Sequence, residues 1–172
     1  MLQNGACRYN GNNGNWQFRG YFEEGLATCS DGHILTGLYR SAREKGVDKI
    51  GNINQGECKS ASANLRSAND CYSLALRKSD FTQRGGFVQS DAGYYIYSTL
   101  TTEKGFGLNN IVEFQCCRPK GALTVDGECY NQGVRISMDD EGWSRCNEGY
   151  YMQGISRDNG NGLNCLEEFR CC

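Results

Sequence analysis

The sequence predicts an all-β protein made of three tandem repeats and stapled by disulfides. Three observations carry that prediction. The stretch CNEGYYMQGISRDNGNGLNCLEEFRCC at 146–172 is repeated as SDAGYYIYSTLTTEKGFGLNNIVEFQCC at 90–117 and as CSDGHILTGLYRSAREKGVDKIGNINQGEC at 29–58. Its strand-like runs are short, rich in aromatic and aliphatic residues, and bounded by Gly and Asn. Eleven cysteines accompany a single histidine with no CxxC spacing, which fits structural disulfides in an oxidising compartment and not zinc.

With the repeats laid together, Gly32, Gly93 and Gly149 coincide, and His33 falls where Tyr94 and Tyr150 stand. Leu35, Ile96 and Met152 coincide, as do Ile53, Ile111 and Leu166, which precede Cys58, Cys116 and Cys171. The units span 7–59, 71–117 and 129–172 within one domain, joined by the loop-like stretches 59–70 and 118–128. A unit of about 45 residues cannot bury its own apolar face, so three should share one core around a pseudo-threefold axis. A β-prism and a β-trefoil both satisfy this, with about four strands per unit; a string of three small sandwiched units is the remaining arrangement.

In the third unit, 130–138 alternates with Val134, Ile136 and Met138 on one side and reads as a strand. Gly142 and Trp143 open a short strand ending at Cys146, and 150–156 and 163–169 read as the last two. No segment carries a sustained helical stripe, so no helix is expected.

The formal charge of −2, with both signs mixed, gives no basic footprint for nucleic acid. No apolar run approaches the ~20 residues that span a bilayer. The start, MLQNGACRYNG, lacks the charged and apolar regions of a signal peptide, so if the chain is secreted the numbering is expected to begin near the mature N-terminus. There is no N-x-[ST] sequon.

The repeats indicate which cysteines pair. A full unit carries an outer Cys at its start, an inner Cys before the aromatic strand, and two at its end. This gives inner pairs Cys29–Cys58 and Cys146–Cys171 and outer pairs Cys71–Cys117 and Cys129–Cys172. Neighbouring cysteines on a strand face opposite ways, so they suit different partners. Lys59 removes the partner of Cys7 and Ser90 removes that of Cys116; the two pair with each other if the repeat ends converge. Cys165 stands where Asn52 and Asn110 stand, as a free or intermolecular thiol or a buried inert one.

No catalytic constellation is legible, and no cofactor or metal is implied. His33 occupies a strand position held elsewhere by tyrosine, so a triad reading is discounted. Asp139, Asp140, Glu141, Glu167 and Glu168 read as solvated faces, with a loop calcium site over 137–141 as the competing reading.

The binding signal is repeated. A Gly-rich polar loop precedes the last strand of each unit, at 41–49, 101–107 and 157–162. Loops on a rigid scaffold carry recognition residues, and Arg, Asp and Asn beside Tyr rings suit sugar hydroxyls and sugar C–H faces. The candidates are Tyr151, Arg157, Asp158, Asn159 and Asn161 in unit three, Tyr95, Glu103 and Lys104 in unit two, and Arg40 and Arg43 in unit one. Three such loops would act by avidity.

The repeated aromatic GYY strand, polar loop and EF-[QR]-CC strand resemble the dermatopontin family, which includes invertebrate amebocyte-aggregation and haemagglutinating factors. The resemblance covers 29–58, 71–117 and 129–172. It implies a secreted extracellular protein in adhesion or agglutination, with polysaccharide or matrix protein as partner. The sequence-level expectation is therefore a lectin-like carbohydrate- or matrix-binding protein without enzymatic activity. A self-assembling matrix, adhesive or coat protein, a homo-oligomer through Cys165, is the alternative. A secreted toxin or inhibitor of a protein target is the third.

Overall fold

A computed structural model of the chain describes residues 5–6, 8–9, 15–19, 25–29, 32–42, 50–60, 70–76, 86–101, 107–118, 127–158, 160 and 162–172. The first segment contributes β1 (Gly5–Ala6), β2 (Arg8–Tyr9), β3 (Asn15–Arg19), β4 (Gly25–Thr28), β5 (His33–Arg40) and β6 (Ile53–Ser60). The second contributes β7 (Cys71–Ala75), β8 (Phe87–Gln89), β9 (Tyr95–Thr101) and β10 (Ile111–Cys117). The third contributes β11 (Tyr130–Gly133), helix α1 (Arg135–Asp139), β12 (Gly142–Arg145), β13 (Met152–Arg157) and β14 (Leu166–Cys171). Among the described residues no helix is long and apolar enough to cross a membrane.

These strands form three sheets, ordered β12-β5-β6-β3-β2, β1-β4-β9-β10-β7 and β11-β14-β13-β8. Each is centred on an antiparallel pair from one segment: β5 with β6, β9 with β10, β13 with β14. Each then receives a strand from another segment. β12 of the third pairs with β5, β4 of the first with β9, and β8 of the second with β13. No segment can complete its own sheet, so the three fold together.

The coinciding residues take the same structural positions. Gly32, Gly93 and Gly149 all have positive φ, at 77°, 78° and 85°, in the turn before the central strand, where a side chain would be strained. Leu35, Ile96, Met152, Ile53, Ile111 and Leu166 are all buried in one core cluster. The central pairs slip register at matching points, Leu35/Gly37, Ile96/Ser98 and Met152/Gly154, which leaves one bulged residue in each.

Four disulfides join Cys29 to Cys58, Cys71 to Cys117, Cys129 to Cys172 and Cys146 to Cys171, the same pairs that the repeats indicate. Cys116 is not bonded to Cys7: it is a free, buried thiol. Its side chain enters the core where those of Cys58 and Cys171 do, so a partner must come from position 90, which is Ser. Cys7 lies outside the described residues.

Two local expectations are corrected. Residues 130–138 are not one strand: β11 stops at Gly133 and α1 follows. One helical turn directs Val134 and Met138 into the core together and leaves Ile136 at 85% exposure, whereas a strand would have aligned all three. Met138 N–H donates to Val134 O at 2.8 Å and closes the turn. Residues 163–165 are a 3-10 turn before β14, matched by turns at Ile50–Asn52 and Leu108–Asn110. Ile50, Leu108 and Leu163 are the buried anchors of these turns. A three-residue turn is too short to leave a periodic signal in the sequence.

Candidate functional site

Arg40 ends β5 and Arg157 ends β13, at coinciding positions of the first and third segments. Both are buried. Arg157 donates through Nη2 to Asn109 Oδ1 at 2.7 Å and to Gly160 O at 3.0 Å. Burial lowers its pKa from the usual guanidinium value. Asn109 belongs to the turn before β10, so this arginine ties the third segment to the second.

Asn164 coincides with Asn109. It lines, with Arg40, Ala42, Asp139, Asp140 and Glu141, a groove of about 770 Å³. The groove lies where β5 ends, between the turn before β14 and the junction of α1 with β12. Arg40 forms part of its wall opposite three carboxylates that helix α1 and its exit bring there. Asn52 fixes the near rim: its Nδ2 donates to Ala42 O at 3.0 Å, and Ser41 N donates to Asn52 O at 2.8 Å.

An aromatic pair adjoins the groove. Register sets Trp143 of β12 beside Tyr39 of β5, with ring centroids 5.3 Å apart. Tyr39 donates to Glu141 Oε1 at 2.7 Å, and that bond holds its phenol above the usual pKa. Arg145 lies over Trp143 at 4.2 Å, and its Nε sits 3.2 Å from Glu57 Oε2, a buried carboxylate that also accepts from Thr36 Oγ1 at 3.0 Å. A hydroxyl-rich ligand would meet carboxylate acceptors and the Asn164 amide in the groove, with the aromatic pair beside it.

The residues singled out in the sequence are distributed differently. Tyr95 opens β9 and Tyr151 immediately precedes β13, at the end away from the loops. They pack edge-on at 5.6 Å and enclose Ile34, the residue that coincides with them in the first segment. Tyr151 donates to Ser60 O at 3.0 Å. The length of a strand, about 20 Å, separates them from Arg157 and Asp158, so these tyrosines do not stand beside the loops. His33 starts β5 at that same end, opposite Ser60. Asp158 is exposed, accepts from Gly160 N at 2.7 Å, and is held below the usual carboxylate pKa by that bond and then by the Cys165 thiol. Arg157 serves as a strut inside the loop. Arg40 alone among the described candidates lines the groove. Asn159, Asn161, Glu103, Lys104 and Arg43 lie outside the described residues.

Cys165 is a free, partly buried thiol, pushed up in pKa by burial and then by Asp158. Among the described residues no three His, Cys, Asp or Glu side chains converge as metal ligands. Sequence reading did not find Tyr39 and Trp143 because their pairing crosses from the first segment to the third. No protein-family model matches the chain, and no curated protein or solved structure matches it.

Proposed function

We propose that this is a secreted, lectin-like protein whose carbohydrate site is the groove between α1 and the end of β5. The observation that carries the reading is the groove itself: Arg40, Asn164 and three carboxylates around about 770 Å³, next to the Tyr39–Trp143 pair. Its accessible wall carries three exposed carboxylates beside a fully buried arginine, which favours neutral or amine-bearing sugars over acidic ones. The four disulfides support an oxidising, extracellular setting. The cyclic exchange of β4, β8 and β12 supports a pseudo-threefold arrangement of three repeats, and three separate sheets favour the β-prism over the closed barrel of a trefoil. An adhesion or agglutination role follows from the dermatopontin-like motifs, with polysaccharide or matrix as partner.

A glycan screen on the oxidised protein tests the site. Saturable binding of a neutral or amino sugar, weakened about tenfold by Asp140→Asn with Glu141→Gln, is expected, since losing hydrogen bonds to charged groups costs about 1.5–3 kcal/mol. Binding that ignores both substitutions overturns the placement. The self-assembling matrix or coat protein is the second reading, favoured by the unpaired Cys165. Oligomers that vanish with reductant and with Cys165→Ser would establish it.

A further inference from the structure

The outer face of the third sheet carries a second groove. Asn131 of β11, Arg170 of β14, Gly154 of β13 and Gln89 of β8 form one row across all four strands. With Phe87 at the edge, Gln89, Asn131 and Arg170 line a groove of about 320 Å³, at the small end of ligand sites. Gly154 stands between Gln89 and Arg170 in that row. A Cβ there would stand 2.5 Å from both Gln89 Cβ and Val88 O, so the row requires glycine.

The first sheet shows the same row filled. There Arg145, Gly37 and Glu57 are cross-strand neighbours, and the Arg145 stem crosses Gly37 to meet Glu57. Charge is neutralised internally. In the third sheet the position of Glu57 is held by Arg170 and that of Arg145 by the neutral Gln89. Arg170 Nη1 donates to Asn131 Oδ1 at 2.9 Å, while its Nε, shielded from solvent, has no acceptor among the described residues. Among the described residues no carboxylate lines the groove; the nearest on that strand, Glu168, pairs with Gly133 and Ser156 in the next row.

We propose that this row binds a single carboxylate-bearing sugar unit. The carboxylate takes the side of the Arg170 guanidinium that faces the groove and that Asn131 leaves open, a planar fork that matches a planar carboxylate. Gln89 and Asn131 amides meet ring hydroxyls, and the Phe87 ring meets a C–H face. The proposal deepens the carbohydrate-binding reading and rests on it for the sugar.

Titration of the oxidised protein with glucuronate, glucose, glucose 6-sulfate and acetate, followed through the 15N signal of Arg170 Nε, tests it. Glucuronate is expected to saturate and move that signal, and glucose is expected to leave it in place. Arg170→Gln and Asn131→Asp should each weaken glucuronate at least tenfold; Asn131 is exposed, so an unchanged melting temperature confirms that its variant folds. Glucuronate binding no tighter than glucose, or untouched by both substitutions, overturns the proposal. Tighter glucose 6-sulfate overturns the carboxylate assignment. Acetate as effective as glucuronate overturns the sugar while leaving Arg170 as the binding residue, a failure distinct from loss of neutral-sugar binding at the groove of Asp140 and Glu141.

Discussion

The inner staple of the second segment differs from those of the other two in one atom. Cys29–Cys58 and Cys146–Cys171 are disulfides, while the second segment sets Ser90 against the thiol of Cys116. The backbone around them is the same. Cys29, Ser90 and Cys146 each donate an N–H into the next sheet, to Tyr97, Gln153 and Thr36, at 3.0, 2.9 and 2.9 Å. Ser90 Oγ lies 2.6 Å from Tyr94 O and 3.2 Å from Gln153 O, so its hydroxyl is satisfied where a cystine sulfur stands elsewhere. Packing and hydrogen bonds therefore hold this corner in place without the covalent bond. The comparison separates what the disulfide adds from what the sheet exchange already provides.

Making the third segment resemble the second should have the largest effect. Cys146→Ser opens a loop whose ends are 25 residues apart and should cost about 3 kcal/mol by denaturant unfolding. The reverse change should stabilise. Ser90→Cys is expected to close on Cys116, remove one thiol from the count in denaturant, and add up to about 3 kcal/mol. A thiol count that rises by one would mean that the backbone match is not close enough.

Next come the glycines of the exchanged rows. Gly154→Ala and Gly37→Ala place a Cβ against backbone oxygen at 2.5 and 2.6 Å and should each cost about 1–3 kcal/mol. The coinciding residue of the second sheet is Ser98, whose Oγ donates to Gln115 Oε1 at 3.1 Å, so Ser98→Gly loses that bond and should cost about 1 kcal/mol, as melting temperatures will show. A further effect appears only at alkaline pH. Burial pushes the Cys116 thiol up to about 12. The unfolded chain loses that proton near its ordinary value, about 8.5, so the folded state holds more protons between the two. Stability from this group is full below that range and is lost as pH rises through it, by at most about 1.4 kcal/mol per pH unit. Cys116→Ser should flatten that slope. In the native state at pH 8, Cys165 should alkylate before Cys116.

A second contrast lies in the turns. In the second and third segments a tyrosine after the outer cysteine packs edge-on against the turn tyrosine, Tyr72 on Tyr94 and Tyr130 on Tyr150, both at 5.0 Å. Each hydroxyl accepts a turn N–H, from Asp91 at 2.7 Å and Asn147 at 2.5 Å. The first segment has Arg8 and His33 at these places.

Much of the fold was legible because matching residues stand at matching places in the three segments. The turn glycines, the apolar positions and the four disulfides coincide in register, and each is a local or within-segment relation. What escaped was either too short or too distant. The 3-10 turns and the single turn of α1 leave no periodic signal, and Val134, Ile136 and Met138 fit a strand as well as a helix until packing exposes Ile136. Arg157 and Asp158 looked like recognition residues by type, yet Arg157 is an internal strut.

The sequence by itself determined the class of the protein: β strands of short period, a cysteine framework, and three segments none of which can bury its apolar face alone. Only the tertiary structure decided which segments complete which sheets. Strand exchange sets Trp143 beside Tyr39 and Arg145 across Gly37, and it leaves Arg170 in an open row above Gly154. Those neighbours are about 100 residues apart for Tyr39 and Trp143, and backbone hydrogen bonding between strands carries no side-chain code that would announce the pairing in advance. The second groove lies across the exchanged strand β8, and the first lies beside the exchanged strand β12.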